Sequence, residues 1–326
     1  MSPPSAAENS SPASPVLMVR RALAILKQEL IGVAEDFWKD GNWQKTPYYE
    51  PPTVASKAPE AFVLPKEAPR VIKGRLWHAA PGEVSEKMWG DGRVTPGDEY
   101  ITDLLVNPLS LSGDMSMLDL SAGLGFRMRK TAHDFGVYIN GREPDPEIAA
   151  RGMTLSVYAG MGKHAAITAY DPMSLTEAYK YDCVVARETL YRVANKKKFV
   201  EAIMACCKPQ VQISFTDYIV NPEFKDQPAI LAWQAFETGA VPISLVEMAE
   251  LWAKNGVTLR VHDDQTDYYK KEIKKGLIRF ARFMATGVKP DADTKRAIEK
   301  RITTWAHRMA AIEQGMRFYR FYGLRK

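Results

Sequence analysis

Cysteine is scarce in this chain: Cys183, Cys206 and Cys207 are the only three among 326 residues. Two of them are neighbours, which rarely pair with each other, and no CxxC or Cys/His spacing points to zinc. A disulfide framework and a zinc site are therefore not indicated, and the three read as small core residues. Long apolar runs are also missing: nothing approaches the ~20 residues of a membrane span. No basic segment leads into an apolar one at the N-terminus, so a secretory leader is not expected and the cytoplasm is the expected location. No nucleic-acid-reading module or arginine-rich groove signature appears, and no sequence-specific nucleic-acid partner is expected. What the chain does have is 46% hydrophobic and 25% charged residues, the composition of a globular protein with a proper core, in one large or two modest domains.

The chain divides by composition. Residues 1–14 are rich in Ser, Pro and Ala and read as a disordered tail. Ser14 is a cap candidate and Pro15 suits a first helical turn; Leu23, Leu26, Leu30, Val33 and Phe37 then make one apolar stripe. That helix is expected to cover the following domain or a second subunit, which would make the protein a homo-oligomer. Prolines at 47, 51, 52, 59, 65, 69 and 81 speak against long helices over 40–81, so residues 15–81 are expected to be a helix followed by an extended wrapping segment. The main domain is expected over 82–326.

Two stretches carry the chemical information. In MLDLSAGLGFRMRKTAHDFGVYINGRE, Met117 to Glu143, a short apolar run ends at Ser121, Ala122, Gly123 and Gly125, and a helix-length segment starts at Phe126. Val137, Tyr138 and Ile139 give a second β-rich run, with Glu143 at its end. Strand, tight turn, helix, strand and acid make a nucleoside site: small residues let the backbone approach a ligand, and the acid accepts from ribose hydroxyls. A dinucleotide site calls for three glycines, whereas this series reads Ser121, Gly123, Gly125 and then Phe126 and Arg127. The other stretch, KMWGDGRVTPG at 87–97, sets Met88 and Trp89 before a glycine-rich turn and leads into a run where Tyr100, Ile101, Leu104 and Leu105 share a face.

The DLSAGLG run resembles the first motif of class I S-adenosylmethionine-dependent methyltransferases, with Ser121 in place of the usual first glycine. The resemblance implies an α/β fold: a Rossmann-like seven-stranded sheet with helices on both faces, order 3-2-1-4-5-7-6 and the last strand reversed. To it are added a helical N-terminal extension and a helical insertion, about 266–314, before the last strand. S-adenosylmethionine is the implied cofactor. Its implied binding residues are Asp119, Ser121, Ala122, Gly123 and Gly125 around the turn and Glu143 at the ribose. Asp171, in Tyr170-Asp171-Pro172 after a third strand over 165–169, would meet the adenine, with Trp89 and Arg187 completing the set. The aromatic-glycine element at 87–97 is similar to one that caps the active site of small-molecule members.

The line YDCVVARETLYRVANKKKFVEAIMACCKP resembles the family's fourth strand and following helix, where the loop after the strand faces the methyl group. Glu188, Thr189, Tyr191 and Arg192 occupy that loop. Lys208-Pro209 keeps half of the expected Lys-Pro-Gly-Gly, and a fifth strand over 211–215 places Thr216, Asp217 and Tyr218 at its tip. Between the second strand and the third, a short helix over 146–152 and a β-prone stretch over 154–158 are expected. Aromatic residues between 222 and 239 would help form the acceptor pocket. A helix over 245–252 and a sixth strand over 257–261 follow. From Thr266 onward there are 16 Lys and Arg against 6 Asp and Glu, net +10, while the rest of the chain is −5. Lys270, Lys271, Lys274 and Lys275 lie at helical spacing, so an anionic substrate or membrane surface joins the expected partners.

Methyl transfer from a sulfonium is an in-line displacement that needs alignment and, for a protonated acceptor, a base. Glu188, Tyr191, Asp217 and Tyr100 are the candidate catalytic groups, and no metal is required. A small-molecule or lipid-like acceptor is expected, with N-methylation of amines or phosphobases favoured. The competing reading is a binding or scaffold protein on the same fold that has lost turnover; Ser121 and the truncated Lys-Pro motif are what favour it.

Overall fold

The structure, a computed structural model, describes residues 76–325 apart from 98, 179 and 287. The tail, the striped helix and the proline-rich stretch up to residue 75 lie outside the described residues. Two short helices come first, α1 (Glu83–Trp89) and α2 (Glu99–Val106). They lead into β1 (Ser116–Asp119), α3 (Phe126–Phe135), β2 (Tyr138–Glu143), α4 (Pro146–Tyr158) and β3 (Ala165–Ala169). Next come β4 (Tyr181–Arg187), α5 (Lys196–Ala205), β5 (Cys207–Ile219), α6 (Pro228–Phe236), α7 (Leu245–Ala253) and β6 (Val257–Asp264). Two long helices, α8 (Thr266–Ala285) and α9 (Ala292–Glu313), precede the closing strand β7 (Arg317–Arg325).

All seven strands form one sheet in the order β3-β2-β1-β4-β5-β7-β6. The first five pair in parallel, and β7 runs antiparallel between β5 and β6. Strand alternation sorts the side chains onto two faces. Met117, Ile139, Cys183 and Val185 pack with Leu105 of α2, Met128 and Ala132 of α3 and Ala149 of α4. Leu118, Val184 and Ile213 pack on the other face with Phe199 and Ile203 of α5 and Met248 and Trp252 of α7. The order reverses at β1, so the tips of β1 and β4 bound the crevice where open α/β sheets bind ligands.

A third cluster lies beside the ends of β5 and β7. Tyr218 and Phe318 meet Trp89 of α1, Trp233 of α6, Tyr269 of α8 and Trp305 of α9. The α8–α9 insertion thus packs over the strand tips. Of its lysines, Lys270 pairs with Glu313 and Lys275 with Glu272, so part of the basic charge is balanced within the chain. Among the described residues no helix is long and apolar enough to cross a membrane. All three cysteines are buried and unpaired.

Three local expectations change. The segment after Glu143 is one 13-residue helix, α4, not a short helix and a β-stretch. Asp145 caps it by accepting the amides of Glu147 and Ile148, and Gly152 is not a stop but a point of close approach: a Cβ there would lie 2.8 Å from the Gly123 carbonyl. Strand β5 is longer than expected at both ends, so Thr216, Asp217 and Tyr218 lie within it. Strand β6 continues through His262 to Asp264, lengthened by its pairing with β7.

Candidate active site

The turn after β1 is built by hydrogen bonds between its neighbours. Asp119 is fully buried, and its Oδ1 accepts from the amide and the hydroxyl of Ser121. The Ser121 hydroxyl in turn accepts from the Arg187 amide at 2.7 Å. The serine that stands for a glycine therefore ties the β1 turn to the end of β4. Gly123 has φ +54, and a Cβ on it would lie 2.7 Å from a Val94 methyl, so neither its backbone nor its surroundings admit a side chain. Its amide donates to Glu143 Oε2 at 2.9 Å, and the Asp145 amide donates to Glu143 Oε1 at 3.1 Å. Burial raises the Glu143 pKa against the pull of those two amides.

These donors fit the polar groups of S-adenosylmethionine. Each Glu143 oxygen keeps a lone pair for a ribose hydroxyl, and the first turn of α3 has neither a side-chain cap nor an acid, which leaves amides for an anionic group. Two of the chain's own side chains now cover the turn. Val94 closes over Gly123, and Arg127 Nη2 donates to both Asp119 oxygens at 2.7 and 2.8 Å and to the Ser121 hydroxyl at 3.1 Å. The remaining cleft, lined by Val94, Thr95, Ser121, Gly123, Arg127 and Arg187 among others, encloses about 40 Å³. A larger groove of about 630 Å³ between α5 and α7 contains none of these residues.

Beyond the turn, the chain leaves β4 through Glu188, a non-glycine residue at φ +51. Such left-handed backbone persists only where surroundings enforce it. Here the Glu188 amide donates to the Thr216 carbonyl, and its carboxylate is buried among Tyr269 (2.5 Å), Tyr218 (3.1 Å) and Arg308 (2.9 Å). Arg308, 1% exposed, also donates to both oxygens of Glu237 and to the Tyr191 hydroxyl at 2.6 Å. Burial alone would raise Glu237, but Arg308 and then Arg192 hold it at about 2. Burial keeps the Tyr218 and Tyr269 hydroxyls protonated far past their usual range.

The expected site residues are distributed unevenly over this geometry. Asp119, Ser121, Ala122, Gly123, Gly125 and Arg187 meet at the turn; Arg187 also donates to the Pro96 carbonyl at 2.6 Å. Glu143 faces the turn amide rather than lining the cleft. Trp89 is packed in the helical cluster, edge-on to Trp305 at 4.9 Å and against Gly276, because α8 takes up its whole ring face. Asp171 is exposed and accepts the Met173 amide, capping a short 3-10 turn, whereas its neighbour Tyr170 reaches the site and donates to the Leu120 carbonyl. Tyr100 is 48% exposed on α2, edge-on to Tyr268. Asp217 is fully buried, but its carboxylate accepts the amides of Leu190, Tyr191 and Tyr218, and burial pushes its pKa to about 7. It braces the loop that carries Glu188 and Tyr191, which do lie together. Tyr170, Glu237, Tyr269 and Arg308 were missed by sequence reasoning. Only the aromatic residues of 222–239 hinted at part of this cluster.

Residues 97–262, half of the chain, match the family model described as methyltransferase domain. The chain belongs to this methyltransferase family. Phosphoethanolamine N-methyltransferase 1 of Zea mays is 21% identical over 199 residues, 60% of this methyltransferase chain and 38% of that protein. Phosphoethanolamine N-methyltransferase 2 of Haemonchus contortus, solved with phosphomonomethylethanolamine and S-adenosylhomocysteine, superposes with a TM-score of 0.61. It is 17% identical, and the match covers 74% of this chain and 56% of that one. Geranyl diphosphate C-methyltransferase from Streptomyces coelicolor gives a TM-score of 0.53 at 12% identity, over 70% and 80% of the two chains. The chain thus spans under two thirds of the curated relative's length, and at these identities the solved neighbours show the fold: the Rossmann-like methyltransferase sheet.

Proposed function

We propose that this chain transfers a methyl group from S-adenosylmethionine to a small-molecule acceptor, with N-methylation of a phosphobase-like amine favoured. The observation that carries the reading is the 2.7 Å bond from the Arg187 amide to Ser121, which sets Glu188, the next residue, beside the turn. When bound, the cofactor supplies a methyl on a sulfonium, a leaving group that is already cationic. The residues that would hold it are Gly123, Glu143 and Asp119. In this reading Glu188 is the base that takes a proton from an acceptor amine, and the Arg308 guanidinium, over the Tyr191 and Tyr218 rings at 5.6 and 5.3 Å, holds its carboxylate in place. Asp217 keeps the loop in register, and the cap of α8 and α9 excludes water from the carboxylates.

The N-methyl preference is supported by the phosphobase relatives and by the paired acids and tyrosines. The second reading, a scaffold without turnover, is favoured by the covering of the turn by Val94 and Arg127. Titration with S-adenosylmethionine and S-adenosylhomocysteine separates the two, since a scaffold should bind neither. Incubation with methyl-labelled cofactor and phosphoethanolamine, its monomethyl derivative or geranyl diphosphate then identifies the acceptor. Label in the amine products is expected; label in geranyl diphosphate alone would replace N- by C-methylation.

A further inference from the structure

We propose that the Asp119–Arg127 ion pair is an autoinhibitory contact, in which Arg127 occupies the place of a ligand ammonium and lowers the affinity for amino-acid-bearing nucleosides. The proposal rests on the methyl-transfer reading above. Arg127 is the second residue of α3, where the helix dipole disfavours a cation, and no acid in the first turn offsets it. What holds it there is Asp119, at 2.7 and 2.8 Å, in a pair whose side chains are 11% and 0% exposed. The contact is incomplete on the arginine side. All its bonds to Asp119 and Ser121 come from Nη2, and Nε is buried without a partner, so the fork does not make the two-point grip of which it is capable.

The cleft lined by Val94, Ser121 and Arg127 measures about 40 Å³, room for a few waters beside the ion pair. A head group that carries both an ammonium and a carboxylate exchanges with an aspartate–arginine pair charge for charge. Its ammonium replaces the guanidinium on Asp119, and its carboxylate turns to the first turn of α3, which has no side-chain cap and whose Phe126 amide reaches only the Gly92 carbonyl at 3.4 Å. Asp119 has a cation both before and after the exchange, which matters in a site where isolated charges are costly. Arg127 therefore competes with one end of the ligand only, the end that bears the amino acid.

The test is equilibrium binding of S-adenosylhomocysteine and of 5′-methylthioadenosine, which lacks the amino-acid arm, to the full chain and to Arg127→Gln. The expected result is at least tenfold tighter S-adenosylhomocysteine binding in the variant, with 5′-methylthioadenosine unchanged within threefold. Unchanged or weaker S-adenosylhomocysteine binding overturns the proposal, as does equal tightening of both nucleosides, which would mean simple removal of bulk. Binding of neither nucleoside to either protein removes the methyl-transfer reading as well. Should Arg127→Gln fail to fold by circular dichroism, Arg127→Lys keeps the charge but not the fork, and a gain of about threefold confined to S-adenosylhomocysteine is expected.

Discussion

Two buried carboxylate–arginine clusters stand side by side at the strand tips, and they are built in opposite ways. At the β1 turn, Asp119 and Arg127 are eight residues apart, on one strand-turn-helix unit. In the cluster around Glu188, Arg308 of α9 meets Glu188 across 120 residues and Glu237 across 71. The first pair is single and half-satisfied, and a ligand of matching charge replaces it. The second is saturated: one guanidinium serves two acids and two tyrosines. A local pair of this kind is suited to exchange, whereas a network drawn from four segments is suited to holding a shape.

The largest expected effect tests that distinction. Arg308→Ala leaves Glu188 and Glu237 buried without their shared cation, and a loss of about 3–5 kcal/mol in urea unfolding is expected. A cost under about 1 kcal/mol would show that the network is not a structural centre. Glu188→Gln keeps the shape but removes the charge and the base. Methyl transfer is expected to fall by roughly 10²-fold or more, with S-adenosylhomocysteine affinity within threefold. Equal losses in both would place Glu188 in the cofactor site instead.

Gly123→Ala should cost about 1–3 kcal/mol through its positive φ and the Val94 contact, and should weaken nucleoside binding with it. Asp217 gives a pH signature. Its folded pKa of about 7 lies above the unfolded value, so the stability it contributes is present at acid pH and is lost as pH rises through 7. Urea midpoints should therefore drop between pH 5 and pH 8, and Asp217→Asn should flatten that drop. The smallest effect is expected from Tyr100→Phe, within about 0.5 kcal/mol and without change in methyl transfer, since its ring lies on the surface of α2.

The parallel half of the sheet was legible because its signals are local. Met117 to Glu143 switches from strand to turn to helix to strand within one short stretch, and all the expected residues that meet at the turn except Arg187 sit inside it. Gly152 misled because a glycine in a helical pattern reads as a stop, while its reason is the Gly123 carbonyl of another element. Trp89 misled similarly: nothing in its neighbourhood announces that α8 will pack on it. Tyr269 and Arg308 sit in basic helices whose spacing says only that one face is charged. That two of these side chains turn inward to meet Glu188 has no periodic signature at all.

By itself the sequence determined the strand-turn-helix unit and the acid at the second strand tip. Each depends on backbone preferences and hydrophobic period over a few neighbouring residues. Only the tertiary structure decided that Arg127 lies on Asp119, that Val94 closes over Gly123 and that Arg308 joins two distant acids. Such contacts form when separate elements dock, and the desolvation that makes them matter exists only once the core has closed.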